Sequence, residues 1–440
     1  MSYFKNFDKA YLLLVFPILR MNWSVLQYRL RAATVLPFVF LWFLCVWGKR
    51  TQKVIPSKIL DKYYWITVFS IVLYILLPLV YGMTDPGDRL SFRPIGALGR
   101  FIEFFLMISV VHLSLTMGKI RELKFCTVVL FFTTLWNGIA ALRGGVNVAQ
   151  MGGGARLITA LGQQANKSSE YYHNVEDILA LGLGNAESSY ISAFTLPLLI
   201  FSLFYIKGVF KKVILLVLAI CSYLNIKYAG LNTPIMITIV GCGLAVVSKF
   251  KSRFLVLLTG IFLAIYMIVF SFNPKVMAFM AGPLRAIADS VDNFPQMQIR
   301  CLSMADAVEG SKDTYAAQRY ELQQISALEF VKGDILFGRL FSSRRNGGGG
   351  HSELLDCLAA FGLLGGFVIM LFWYAYLRYC NQLAKVSLGR NWVFMPYIYA
   401  GAWIFSSIVN PAVLGSPAVL LAIPGIAVFY NDFEKRWSIV

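Results

Sequence analysis

A chain of 440 residues that is 58% hydrophobic and only 14% charged, with a mean hydropathy of +0.66, is too apolar for a soluble protein, which carries about 25% charged residues. The composition points to a polytopic membrane protein, so domain counting by length does not apply. The formal net charge of +18 would suggest nucleic acid as a partner in a soluble chain; here part of it belongs to topology, and no nucleic-acid partner is expected.

Met1 to Lys9 is short and polar, and the first apolar run lacks a small-residue cleavage site, so no cleaved signal is expected. Apolar runs long enough to span or nearly span a bilayer fall at about 10–26, 32–48, 63–82, 99–116, 125–142, 178–206, 213–226, 234–248, 254–272, 354–377, 391–408 and 417–430. The expected fold is an all-α bundle of about twelve transmembrane helices. With the N-terminus inside, the inward segments hold Lys49, Arg50, Lys53, Lys58 and Lys62, then Lys119, Arg121 and Lys124. Further on they hold Lys207, Lys211, Lys212, Lys249, Lys251, Arg253, Arg378, Lys385 and Arg390. Such loops are what the positive-inside rule requires, with both termini cytoplasmic.

The other side favours arginine. Its segments carry Arg20, Arg29, Arg31, Arg89, Arg93, Arg100, Arg143, Arg156 and Lys167. The longest, about 273–353, adds Arg285, Arg300, Arg319, Arg339, Arg344 and Arg345 with Lys275, Lys312 and Lys332. Topology does not distinguish the two cations, whereas phosphate recognition favours the bidentate guanidinium. Either an anionic substrate or pairing with loop acids such as Asp289 and Glu309 would explain these arginines. The resulting division is a bundle at 1–272 with an outer loop at 143–177, a large outer loop at 273–353, and C-terminal helices at 354–440.

Within that large loop, helices are expected at 276–291 and 314–331. In the second, Leu322, Ile325, Leu328 and Val331 recur every three residues, giving a stripe for the membrane or the bundle. Arg319 sits one turn before Leu322. A turn, Gly333 to Arg339, follows. Then come Arg344, Arg345 and four glycines, Gly347 to Gly350, which serve either as a loop approaching phosphate or as a hinge. Next is His351, with Ser352 as the expected N-cap of the tenth span. An imidazole at a helix N-terminus among cations is suited to act as a general base on a hydroxyl; the plainer reading is a polar interface anchor. His112 reads as structural and His173 as a solvated or packed loop residue.

No DxD, HxxxH or HExxH pattern occurs, so no metal or other cofactor is expected. The seven cysteines form no CxxC and read as isolated thiols. Carboxylates near the outer face are the second-rank acid/base candidates, chiefly Glu103 and Glu353, with Glu187, Glu321 and Asp356 behind them. Glu103 is placed to pair with Arg100 or Arg93.

Arg319 in a loop helix, Phe337-Gly338, His351-Ser352-Glu353-Leu354-Leu355-Asp356 and Phe361-Gly362-Leu363-Leu364-Gly365 together resemble the signature of the O-antigen polymerase (Wzy) and O-antigen ligase superfamily. Arg156-Leu157 before Ala165-Asn166, and Asn185-Ala186 leading into the Pro197 span, are similar as well. The resemblance implies a GT-C-like, metal-independent glycosyltransferase of the bacterial inner membrane whose active site faces the periplasm. Its implied partners are undecaprenyl-pyrophosphate-linked oligosaccharides, membrane lipids and a chain-length regulator. By position, pyrophosphate binding falls on Arg156 and Arg319, and action on the acceptor hydroxyl on His351; Arg344 and Arg345 join the anion-binding set. The chain departs from the family pattern at Ser352, where many members have Asn, at Arg339 in the turn, and at Leu231-Asn232-Thr233-Pro234, where Lys227 is the nearest cation. The expected activity is repeat-unit polymerisation for O-antigen or capsule. The alternatives are a ligase to lipid A-core and a lipid-linked glycan flippase.

Overall fold

A computed structural model of the chain describes residues 7–30, 32–47, 58–80, 94–150, 155, 175–178, 180–183, 186–250, 254, 258–261, 281–290, 295–309, 315–338, 352–387, 392, 394–409 and 419–428. The described residues are all-helical and contain no strand. In chain order the helices are α1 (Val15–Asn22), α2 (Ser24–Arg29), α3 (Leu36–Trp47), α4 (Lys58–Val80), α5 (Pro94–Thr116) and α6 (Ile120–Gln150). Then follow α7 (Ala186–Tyr205), α8 (Val209–Ala229), α9 (Asn232–Val247), α10 (Ala281–Ser290), α11 (Pro295–Val308) and α12 (Tyr315–Lys332). The last three are α13 (Glu353–Ser387), α14 (Phe394–Val409) and α15 (Val419–Val428).

Among the described residues six helices (α4, α6, α7, α8, α9 and α13) are long and apolar enough to cross a membrane, and shorter apolar stretches lie at Leu36–Val46 and Glu103–Thr116. Each of the twelve expected runs carries some described helix, although most of 254–272 lies outside the described residues, and only six helices meet the length and hydropathy of a span. Large apolar side chains such as Phe40, Phe69, Val72, Phe132, Leu216 and Ile220 point outward from these helices. In water so much outward apolar surface would be costly; in lipid it is the expected face. These helices are compatible with a multi-pass membrane protein.

The centre is α7, packed against α8, α9, α14 and α15. It is fully apolar or small on its buried faces, with Ala193, Phe194, Leu198, Leu199 and Phe201 shut off from the outside. Glycines allow the close approaches: a Cβ at Gly241 would stand 2.5 Å from the Pro197 ring, and one at Gly138 would stand 2.3 Å from Cys221. Close backbone contact of this kind is what holds helices together where lipid offers no hydrophobic drive. Phe372, Tyr376, Tyr399 and Trp403 add an edge-to-face cluster between α13 and α14. All seven cysteines are free thiols.

Polar contacts join helix ends that the charge alternation assigns to one side. Lys119 pairs with Asp8, and Asp61 lies 3.0 Å from His112 Nε2. Arg378 donates to the Tyr63 hydroxyl. All of these belong to the end expected to be inward. At the opposite end Arg20 meets Glu103 and Glu187, and Tyr74 meets Glu353. His112 is buried and stacked on Tyr64 with ring centroids 4.1 Å apart, in keeping with a structural role.

The first apolar run is a broken element. A 3-10 helix, Lys9–Leu14, leads into α1, and the chain turns extended at Trp23 before α2 begins. Neither Pro nor Gly causes this break. Asn137 of α6 repairs it, donating from Nδ2 to the Asn22 carbonyl at 2.6 Å and accepting from the Ser24 N–H at 3.2 Å. Asn22 in turn donates to Thr133 Oγ1 at 2.6 Å. Satisfying freed backbone groups internally is the condition for a break at membrane depth.

Candidate functional site

Two polar centres stand among the described residues. The first is built from α12, the turn after it and the start of α13. Ser352 caps α13 as its sequence suggests: its Oγ accepts from the Leu355 N–H at 3.3 Å. Asp356 reaches back to accept from the Ser352 N–H at 3.2 Å, which makes a reciprocal cap. The other oxygen of Asp356 accepts from Ser326 Oγ of α12 at 2.5 Å. One buried carboxylate therefore fixes the N-terminus of α13 and ties α12 to it. Beside it, the buried Glu353 accepts from the Tyr74 hydroxyl of α4. Both carboxylates sit in the first turn, where the helix dipole favours negative charge.

The turn completes this centre. Asp334 accepts from the N–H groups of Leu336 and Phe337, and its carbonyl accepts from Gly338 N–H. Gly338 has φ +58° and packs against Gly362, where α13 is broken at φ +64°. That break frees the N–H groups of Leu363 and Leu364, which donate to the Ile335 and Leu336 carbonyls at 2.8 and 3.2 Å. The Phe337-Gly338 and Phe361-to-Gly365 stretches, separated in sequence, are thus one packed unit.

The expected site residues are placed unevenly. Arg319 lies on α12 seven residues before Ser326, about 10 Å along the helix; its side chain is outside the described residues. Arg156, Arg344, Arg345 and His351 also lie outside the described residues. Their flanks are fixed. Ala155, before Arg156, is buried with Val148, Val175, Ile178 and Leu183 in a small separate core. Ser352, after His351, is the buried cap of α13. Lys227 lies in the last turn of α8 and over the Tyr228 ring at 5.2 Å.

The second centre was not foreseen as a unit. Arg20 Nη1 is 2.6 Å from Glu103 and 3.3 Å from Glu187, and Arg20 Nε donates to the Leu30 carbonyl. Arg20 and Glu103 are both buried. Glu103 therefore pairs across helices with Arg20, rather than locally as its sequence neighbours Arg93 and Arg100 suggest. About 20 Å of helix separates it from the end of α5 at Thr116, so the pair lies within the bundle, next to the break in the first run. The available signal was an arginine and an Asn-Trp-Ser interruption inside an apolar run; an ionisable group at membrane depth is a functional candidate by default.

Acid pairing also accounts for Arg285, which donates to Asp306 at 3.1 Å and Glu309 at 2.6 Å across α10 and α11. These partners, Glu309 first, raise its pKa further. Arg20 and Arg285 therefore answer to acids, while Arg143 is exposed. Among the described residues no group of three or more His, Cys, Asp and Glu side chains has the arrangement of a metal site. No protein-family model matches the chain, and no curated protein matches it.

Proposed function

We propose that the chain is a membrane polymerase of lipid-linked polysaccharide repeats. One observation supports the reading most. The separated stretches that resemble the polymerase and ligase signature are packed against each other, with the Arg319 helix bonded to the helix start that follows His351. In this reading the acceptor sugar hydroxyl attacks the anomeric carbon of the donor glycan. The new C–O bond forms as the bond to undecaprenyl pyrophosphate breaks. His351 takes the hydroxyl proton, and Arg319, with Arg156, Arg344 and Arg345, stabilises the departing pyrophosphate.

The test is a reconstituted assay with a lipid-linked repeat. His351→Ala protein should leave single repeats unextended; extension at the wild-type rate would remove the base assignment. Polysaccharide banding in a deletion strain separates polymerase from ligase, since a polymerase loss leaves one capped repeat and a ligase loss leaves none.

The buried Arg20–Glu103 pair beside a broken helix favours a second reading, transport of the lipid-linked glycan. Chain extension in detergent solution, where there is no compartment to cross, would exclude transport as the whole activity.

A further inference from the structure

We infer that the second half of α12 and the turn after it are inserted among the acyl chains of the membrane leaflet at the Leu363 end of α13. The inference rests on α13 crossing the membrane and not on the chemistry proposed above. The residue pattern of this segment is inverted for a loop in water. Its hydroxyl, Ser326, is buried against Asp356. Four of its large apolar residues face outward instead, with Leu328 51% exposed, Val331 69%, Ile335 52% and Leu336 58%, while the small Ala327 is buried. Glu321 begins the same outward face, which changes from polar to apolar toward the turn. The face then continues on α13, where Leu363, Phe367 and Met370 are exposed at the spacing of one helical stripe.

Depth follows from α13. Arg378 donates to Tyr63 near the other end, and it follows Leu363 by fifteen residues, about 22 Å of helix. A hydrocarbon layer is about 30 Å thick, so a helix anchored by Arg378 at one boundary has Leu363 inside the other. The Ile335 and Leu336 carbonyls are bonded to Leu363 and Leu364, so the turn shares that depth. Non-helical backbone is tolerated there only when its polar groups are satisfied. Here Asp334 holds the N–H groups of Leu336 and Phe337, and α13 takes the carbonyls. Lys332 and Asp334 are exposed near the turn, which keeps the insertion at the boundary between headgroups and chains, the depth of an interfacial helix. One consequence is that Arg319, two turns above Ser326, is carried at headgroup height.

The test uses the full chain in lipid nanodiscs, with a nitroxide attached through a genetically encoded ketone side chain so that the native cysteines stay untouched. Labels replace Glu321, Leu328, Val331 and Leu336 one at a time, and relaxation by oxygen is compared with relaxation by a water-soluble nickel chelate. Labels at 328, 331 and 336 should be relaxed more by oxygen than by nickel, with the order reversed at 321. Nickel dominance at 328, 331 and 336 would put the segment in water and overturn the inference. Protection from both reagents would show a protein cover, from this chain or a second copy, and would overturn it equally.

Discussion

Gly338 and Gly362 each occupy the space the other's Cβ would need. A Cβ on Gly338 would stand 2.6 Å from Gly362 N, and one on Gly362 would stand 2.6 Å from Gly338 N. Both residues also have positive φ. Alanine at either position should therefore cost more than the ~1–2 kcal/mol of the left-handed conformation alone, because backbone must move as well. Thermal unfolding of the detergent-solubilised protein measures this. The double alanine variant should cost less than the sum of the two, since each breaks the same clasp; additive costs would mean the two glycines act independently.

Arg20→Met should destabilise the chain by about 3–5 kcal/mol, because it leaves the buried Glu103 carboxylate without its guanidinium. Adding Glu103→Leu to it should recover much of that loss, as apolar replacement of a whole buried pair is often neutral. The midpoints of chemical unfolding for the two variants decide it. A double variant as unstable as Arg20→Met would show that Glu187, and not Glu103, is the partner that matters.

Asp356→Ala removes the acceptor for both Ser326 Oγ and the Ser352 N–H. The expected cost is about 1–3 kcal/mol, and Asp356→Asn, which keeps an acceptor oxygen, should recover part of it. Ser326→Ala alone should cost about 0.5–1.5 kcal/mol. In a double-mutant cycle the two should couple, and a coupling near zero would mean α12 is held to α13 by apolar contact alone.

For the proposed polymerase, Arg319→Lys separates charge from geometry. A bidentate pyrophosphate contact predicts a loss of extension rate well beyond tenfold, about 1.4 kcal/mol per factor of ten, because an ammonium cannot reproduce the planar fork. An unchanged rate would reduce Arg319 to a point charge.

Composition and periodicity pointed to an all-helical chain whose apolar helices are long enough for a membrane, because lipid admits few other solutions for so apolar a sequence. The cap at Ser352 was legible as well, since a cap is a local demand that a particular residue type meets, whereas the helix expected to pass straight through Gly362 is broken there. Helix partners were beyond that reach. Glu103 had arginines close by in sequence, yet its partner Arg20 comes from a separate, broken helix 83 residues earlier, and only packing brings such residues together. The same holds for α12. Its three-residue stripe was legible, but whether the stripe faced the bundle or the outside depended on Ser326 finding Asp356 and on the turn finding the Gly362 break. Sequence spacing sets which residues share a face; which neighbour that face meets is a property of the assembled helices.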